Sequence, residues 1–140
     1  MTIQHILLVE DNPDHAILTQ RALKKSNVAN PVEVAKDGQQ ALDLLFDPAK
    51  TLPMLVLLDL KLPKVDGLEV LKRLRVNERT HRVPVVILSS SNDERDRALG
   101  YDLGCNSYIR KPVDFDQFAE AVRSLGLYWL VLNEPPPLPR

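Results

Sequence analysis

The sequence predicts an α/β fold of the doubly wound kind, with a five-stranded parallel sheet covered by helices on both faces. Three observations lead there. Short apolar runs rich in β-branched residues alternate with longer stretches of helical periodicity, the pattern of strands buried on both sides and joined by crossover helices. Each run gives way at once to polar or charged residues. The 140 residues are enough for one core and too few for two.

Taken in order, the first strand is expected over Ile6 to Val9. Asp11-Asn12-Pro13 then opens the first helix, with an acceptor side chain at the cap and proline in the first turn, and Leu18 and Ala22 lie four apart on one face. A second strand over Val32 to Ala35 leads to a helix from Gln39 to Phe46, and Asp47 to Pro53 reads as a loop. The third strand runs from Met54 to Leu58. Lys64-Val65-Asp66-Gly67 introduces the third helix, where Leu68, Leu71 and Leu74 form an apolar ladder with Lys72 and Arg73 between them and Arg75 just after. The remaining elements are a strand over Val85 to Leu88, a helix over Asp93 to Leu103, a strand over Ser107 to Ile109 and a helix starting near Phe115. That last helix has an inner face of Phe118, Ala121, Val122 and Leu125.

Residues 1–127 are read as the folded domain and 128–140 as an extension of the last helix with a proline-rich tail. The run Leu127-Tyr128-Trp129-Leu130-Val131-Leu132 is apolar on every side, more than one packed face can use, and would expose a hydrophobic patch on a monomer. A homodimer is therefore expected, with Leu127, Tyr128, Trp129, Leu130 and Leu132 at its interface; the alternative is that the run folds back on its own domain. Pro135-Pro136-Pro137 favours an extended end.

The formal charge of -1, from 18 basic and 19 acidic residues, leaves no broad basic face, which argues against nucleic acid as the direct partner. The only cysteine, Cys105, cannot close an internal disulfide. No apolar run suits a signal peptide or a membrane span, so a reducing, cytoplasmic setting without a membrane is expected.

In doubly wound folds the chemistry sits outside the carboxyl ends of the strands. Glu10 and Asp11 follow the first strand, Asp59 the third, Ser89 the fourth and Lys111 the fifth. Three carboxylates brought within about 5 Å would repel by roughly 3 kcal/mol per pair at an effective dielectric near 20. A cation would relieve this, and an all-oxygen set suits Mg²⁺ or Mn²⁺ better than zinc. His5, His15 and His81 look scattered, with no metal-ligand spacing. Read singly, each residue has a plainer account: Asp11 could cap the first helix, Ser89 could be an ordinary strand-end hydroxyl and Lys111 a surface lysine. Asp59, closing the run Met54-Leu55-Val56-Leu57-Leu58, is harder to explain without a reason for charge near the interior.

Glu10-Asp11, the segment Leu57-Leu58-Asp59-Leu60-Lys61-Leu62-Pro63 with Asp66-Gly67, Ser89 and Lys111-Pro112 together resemble the response-regulator receiver family, from about Ile3 to Leu127. The resemblance implies a flavodoxin-like (βα)5 fold and a Mg²⁺-dependent signalling domain rather than a conventional enzyme. Asp59 would take a phosphoryl group from a histidine kinase. Asp11, Asp59 and the carbonyl of Lys61 would bind the metal, Glu10 would act through water, and Lys111 and Ser89 would bind phosphoryl oxygens. Ser89 and Tyr108 would form the switch, and the Lys111-Pro112 bond would be cis. Glu10 stands where an aspartate is common, and the Lys61 ammonium could lean over the acidic cluster and alter either metal affinity or the water that hydrolyses the acyl phosphate. Leu125-Gly126-Leu127-Tyr128-Trp129-Leu130 and Asn133-Glu134-Pro135 look like single-domain regulators paired with bacterial phytochrome kinases.

No segment after Pro112 resembles a DNA-binding or hydrolase domain, so output is expected through protein contacts, with a phosphorelay intermediate or phosphate sink as the alternative. A haloacid-dehalogenase-type phosphatase would normally need an acid where Lys61 stands. A flavodoxin-type flavin carrier would want a hydroxyl- and glycine-rich loop in place of Glu10-Asp11-Asn12-Pro13. A receiver used purely for binding would not need the full chemical set.

Overall fold

A computed structural model describes residues 4–25, 30–90, 93–111, 115–129, 134 and 136–137, with backbone alone for 115, 118, 122 and 125–127. Five strands and five helices alternate: β1 (Ile6–Val9), α1 (Pro13–Lys25), β2 (Val32–Ala35), α2 (Gly38–Phe46), β3 (Leu55–Leu58), α3 (Gly67–Val76), β4 (Val85–Ser89), α4 (Glu94–Asp102), β5 (Ser107–Arg110) and α5 (Phe115–Leu127). The sheet is parallel throughout, in the order β2-β1-β3-β4-β5. The expected strands are found to within a residue at each end.

The order explains the composition of the strands. β1, β3 and β4 lie inside the sheet and are buried along their whole length, so they are apolar on both faces. β2 and β5 are its edges, half-buried for the most part, and they tolerate Glu33 and Arg110.

Alternation along the strands divides the core in two. Leu7, Val9, Val56, Leu58, Val85 and Ile87 face α2 and α3, against Ala41, Leu42, Leu45, Val70, Leu71 and Leu74. Ile6, Leu8, Leu55, Leu57, Val86 and Leu88 face the other way, onto Ala16, Ala22 and Leu23 of α1 and Ala119 of α5. Leu68 of the expected ladder is only partly buried, and Val70 takes its place in the core.

The acceptor side chain that opens α1 belongs to Asn12 and not Asp11: its Oδ1 accepts the N–H groups of Asp14 at 2.9 Å and His15 at 3.2 Å. On α5, Ala121 is half-buried, while the side chains of Phe118, Val122 and Leu125 lie outside the described residues. Beyond α5, Trp129 packs partly buried against the α1-side core and Tyr128 remains exposed, their rings edge to face at 5.2 Å. Trp129 thus meets the fold-back alternative rather than an open interface. Leu130, Leu132 and the side chain of Leu127 lie outside the described residues, as does Pro112 with the bond that precedes it.

Candidate functional site

The sheet's hydrogen-bond ladder continues one residue past three strands. The N–H of Glu10 donates to Ala35 O at 3.0 Å, that of Asp59 to Val9 O at 3.0 Å and that of Lys111 to Ser89 O at 2.7 Å. By strand parity Glu10, Asp59 and Lys111 follow Leu8, Leu57 and Ile109, on the face that α1 and α5 cover. Ser89 follows Ile87 on the opposite face, which Tyr108 shares.

The three charged side chains are almost withdrawn from water, with Glu10 3% exposed, Lys111 7% and Asp59 12%. Lys111 Nζ donates to Glu10 Oε1 and to Asp59 Oδ2, the latter at 3.0 Å. The second Asp59 oxygen, Oδ1, accepts the backbone N–H of Lys61 at 3.2 Å. Burial first, and then the contact with Asp59, pushes the Glu10 carboxyl up to about 7 against the opposing effect of Lys111. The Asn12 N–H donates to Glu10 Oε2 at 3.3 Å.

Asp11 stands exposed at the mouth, and one carboxylate oxygen from each of Glu10, Asp11 and Asp59 lies within 4.8 Å of the others. One ammonium cannot balance three carboxylates. A set made only of oxygens, open to solvent on the Asp11 side, fits a small hard divalent cation that keeps some of its water.

The β3–α3 connection holds Asp59 closely. A Cβ on Gly67 would lie 2.2 Å from the carbonyl oxygen of Asp59, so only glycine lets α3 begin against the strand end. Its N–H donates to Leu60 O at 2.8 Å, and Asp66 caps the helix by accepting the Glu69 N–H at 3.0 Å. The exposed Lys61 side chain makes no ion pair with these acids among the described residues. Ser89 is buried. Tyr108 is half-buried against the core, and its hydroxyl is buried with no hydrogen-bond partner among the described residues.

The structure also brings in a residue that sequence reasoning set aside. His15 Nδ1 lies 3.2 Å from Lys111 Nζ and 3.8 Å from Glu10 Oε1. The available signal was Asn12-Pro13: a helix starting there carries residue 15 in its first turn, over the end of β1.

A family model for the response regulator receiver domain matches residues 6–123. The chain belongs to that family. The matched span of this receiver domain takes in all five strands, and its five-stranded parallel sheet is that of the receiver domains of response regulators. Among curated relatives, the probable methanogenesis regulatory protein FilR2 of Methanothrix harundinacea is 42% identical over 134 residues, covering 94% of this chain and 86% of the relative. Two solved structures superpose closely. The phosphorylated cyanobacterial phytochrome response regulator RcpA has a TM-score of 0.91 at 37% identity, covering 97% of this receiver domain and all of that chain (100%). The Mn²⁺-bound form of the response regulator Rcp1 has a TM-score of 0.91 at 34% identity, over 96% and 99% of the two chains.

Proposed function

We infer that Asp59 accepts a phosphoryl group from the phosphohistidine of a sensor histidine kinase, with Mg²⁺ or Mn²⁺ bound beside it. The observation that carries this is the meeting of Asp59 with Glu10, Asp11 and Lys111 at one end of the sheet. Asp11, Asp59 and the Lys61 carbonyl would hold the ion, and Glu10 would reach it through water. Bound there, the cation offsets the charge of the carboxylates and of the incoming phosphoryl oxygens. An Asp59 carboxylate oxygen forms the bond to phosphorus as the nitrogen–phosphorus bond of the donor breaks, and the donor imidazole leaves with the bonding pair. Lys111 turns an N–H to one phosphoryl oxygen and the Ser89 hydroxyl donates to another.

Ser89 and Tyr108 share a face of neighbouring strands, and the unpartnered Tyr108 hydroxyl favours a second ring position. Ser89 turning toward the phosphoryl group vacates the space that Tyr108 enters, which shifts the population of the surface made by α4, β5 and α5. Leu99 and Tyr101 are exposed on α4 of that surface. Likeness to phytochrome response regulators supports a bacterial phytochrome as the kinase, in the cytoplasm, with output through protein contacts and not nucleic acid.

Intact mass after incubation with acetyl phosphate and Mg²⁺ tests the chemistry. The wild type should gain one phosphoryl group and Asp59→Asn none; equal gain, or none in either, would refute the assignment.

The extension would add a homodimer, with exposed Tyr128 beside Leu127, Leu130 and Leu132, while Trp129 serves its own domain. Sedimentation should show Tyr128→Arg to be more monomeric than the wild type, and an unchanged dimer would remove Tyr128 from the interface.

A further inference from the structure

The contact between Lys111 and His15 has no part in the chemistry set out above. An ammonium carries three N–H donors and no lone pair. Lys111 has three acceptors around it: Glu10 Oε1, Asp59 Oδ2 at 3.0 Å and His15 Nδ1 at 3.2 Å. For this contact to be a hydrogen bond, Nδ1 must supply the lone pair, which places the ring proton on Nε2.

Of the three acceptors, Asp59 is the one that phosphorylation disturbs. When its carboxylate becomes an acyl phosphate, the N–H that it held has to turn to a phosphoryl oxygen. Glu10 and His15 then remain to keep the ammonium aimed. His15 lies outside the group of carboxylate oxygens that could share a cation, so its ring serves the lysine side of the site. Its backbone is fixed independently, because its N–H donates to the Asn12 cap at 3.2 Å, and its side chain is 43% exposed, so its replacement leaves the core untouched.

We propose that His15 is a positioning residue for phosphoryl transfer, holding the Lys111 ammonium through Nδ1 while Asp59 changes partners. This rests on the reading of Asp59 as phosphoryl acceptor and Lys111 as its cationic partner.

The test follows the rate at which the full chain is phosphorylated by acetyl phosphate, measured by intact mass across donor and Mg²⁺ concentrations. It compares the wild type, His15→Leu and His15→Asn. The Asn Oδ1 sits two bonds from Cβ, as Nδ1 does, and restores an acceptor without an imidazole. Leu should lower the maximal rate about tenfold, the effect of one hydrogen bond to a charged group, with half-saturating Mg²⁺ and donor concentrations unchanged, and Asn should recover most of the loss. Wild-type rates in His15→Leu would overturn the proposal, as would an Asn variant no faster than Leu or Mg²⁺ affinity falling in step with the rate. If thermal melting shows that Leu prevents folding, His15→Ala replaces it. Failure of the wild type itself to be phosphorylated would instead refute the assignment of Asp59.

Discussion

At Glu10 the fold keeps a carboxyl whose ordinary value of 4.5 rises to about 7, first through burial. The folded chain therefore holds this proton more tightly than the unfolded chain, and between the two values folding takes a proton up. For this group alone, stability is fully present below about 4.5 and declines as the pH rises, with the loss complete above about 7. A gap of that width corresponds to roughly 3 kcal/mol as an upper bound. Urea unfolding in the absence of divalent cations should show stability falling between about pH 4.5 and pH 7, with Glu10→Gln flattening the profile. A wild-type curve as flat as that of the variant would contradict the buried charge. The site residues differ in how far sequence alone reveals them. Glu10, Asp59 and Ser89 follow an apolar run directly, and Asp11 and Lys111 stand one residue further on, so strand topology is enough to gather them. His15 depends on how a helix is rotated over the sheet, which no local pattern states. The Lys61 side chain depends on rotamers at the surface, where little constrains it.

Among the elements, α3 shows how closely the site is built into the fold. Gly67 lets its first turn approach the Asp59 carbonyl to a distance that no side chain permits. Gly67→Ala should move α3 away from β3, with a loss of about 3 kcal/mol or more in urea unfolding, and should slow acceptance of the phosphoryl group. Stability within about 0.5 kcal/mol of the wild type would show that the helix start can yield. The glycine was visible in the motif Asp66-Gly67, but its reason was not, because the clash is with a carbonyl eight residues earlier. Strand positions were easier to read than helix starts. β1, β3 and β4 are continuous apolar runs bounded by polar residues, whereas the cap of α1 could be Asp11 or Asn12 until the backbone decides.

For the whole molecule, the opposite end of the sheet is tied by Arg75. From the last turn of α3 its guanidinium donates to Gly104 O at 2.8 Å, His81 O at 2.9 Å, Val83 O at 2.7 Å and Asn106 Oδ1 at 3.0 Å. Asn106 Oδ1 in turn accepts the Val85 N–H at 2.8 Å. Arg75→Met strands several acceptors at once and should cost about 3 kcal/mol, while phosphorylation at the far end proceeds at its usual rate. A loss of phosphorylation in a variant that remains folded would show that the two ends are coupled. The chain's single tryptophan, Trp129, leans on the α1-side core with the Tyr128 ring set against it. It is therefore an intrinsic fluorophore at the joint between domain and extension, where a tail that lifts away would report itself as a red shift in emission without any added label.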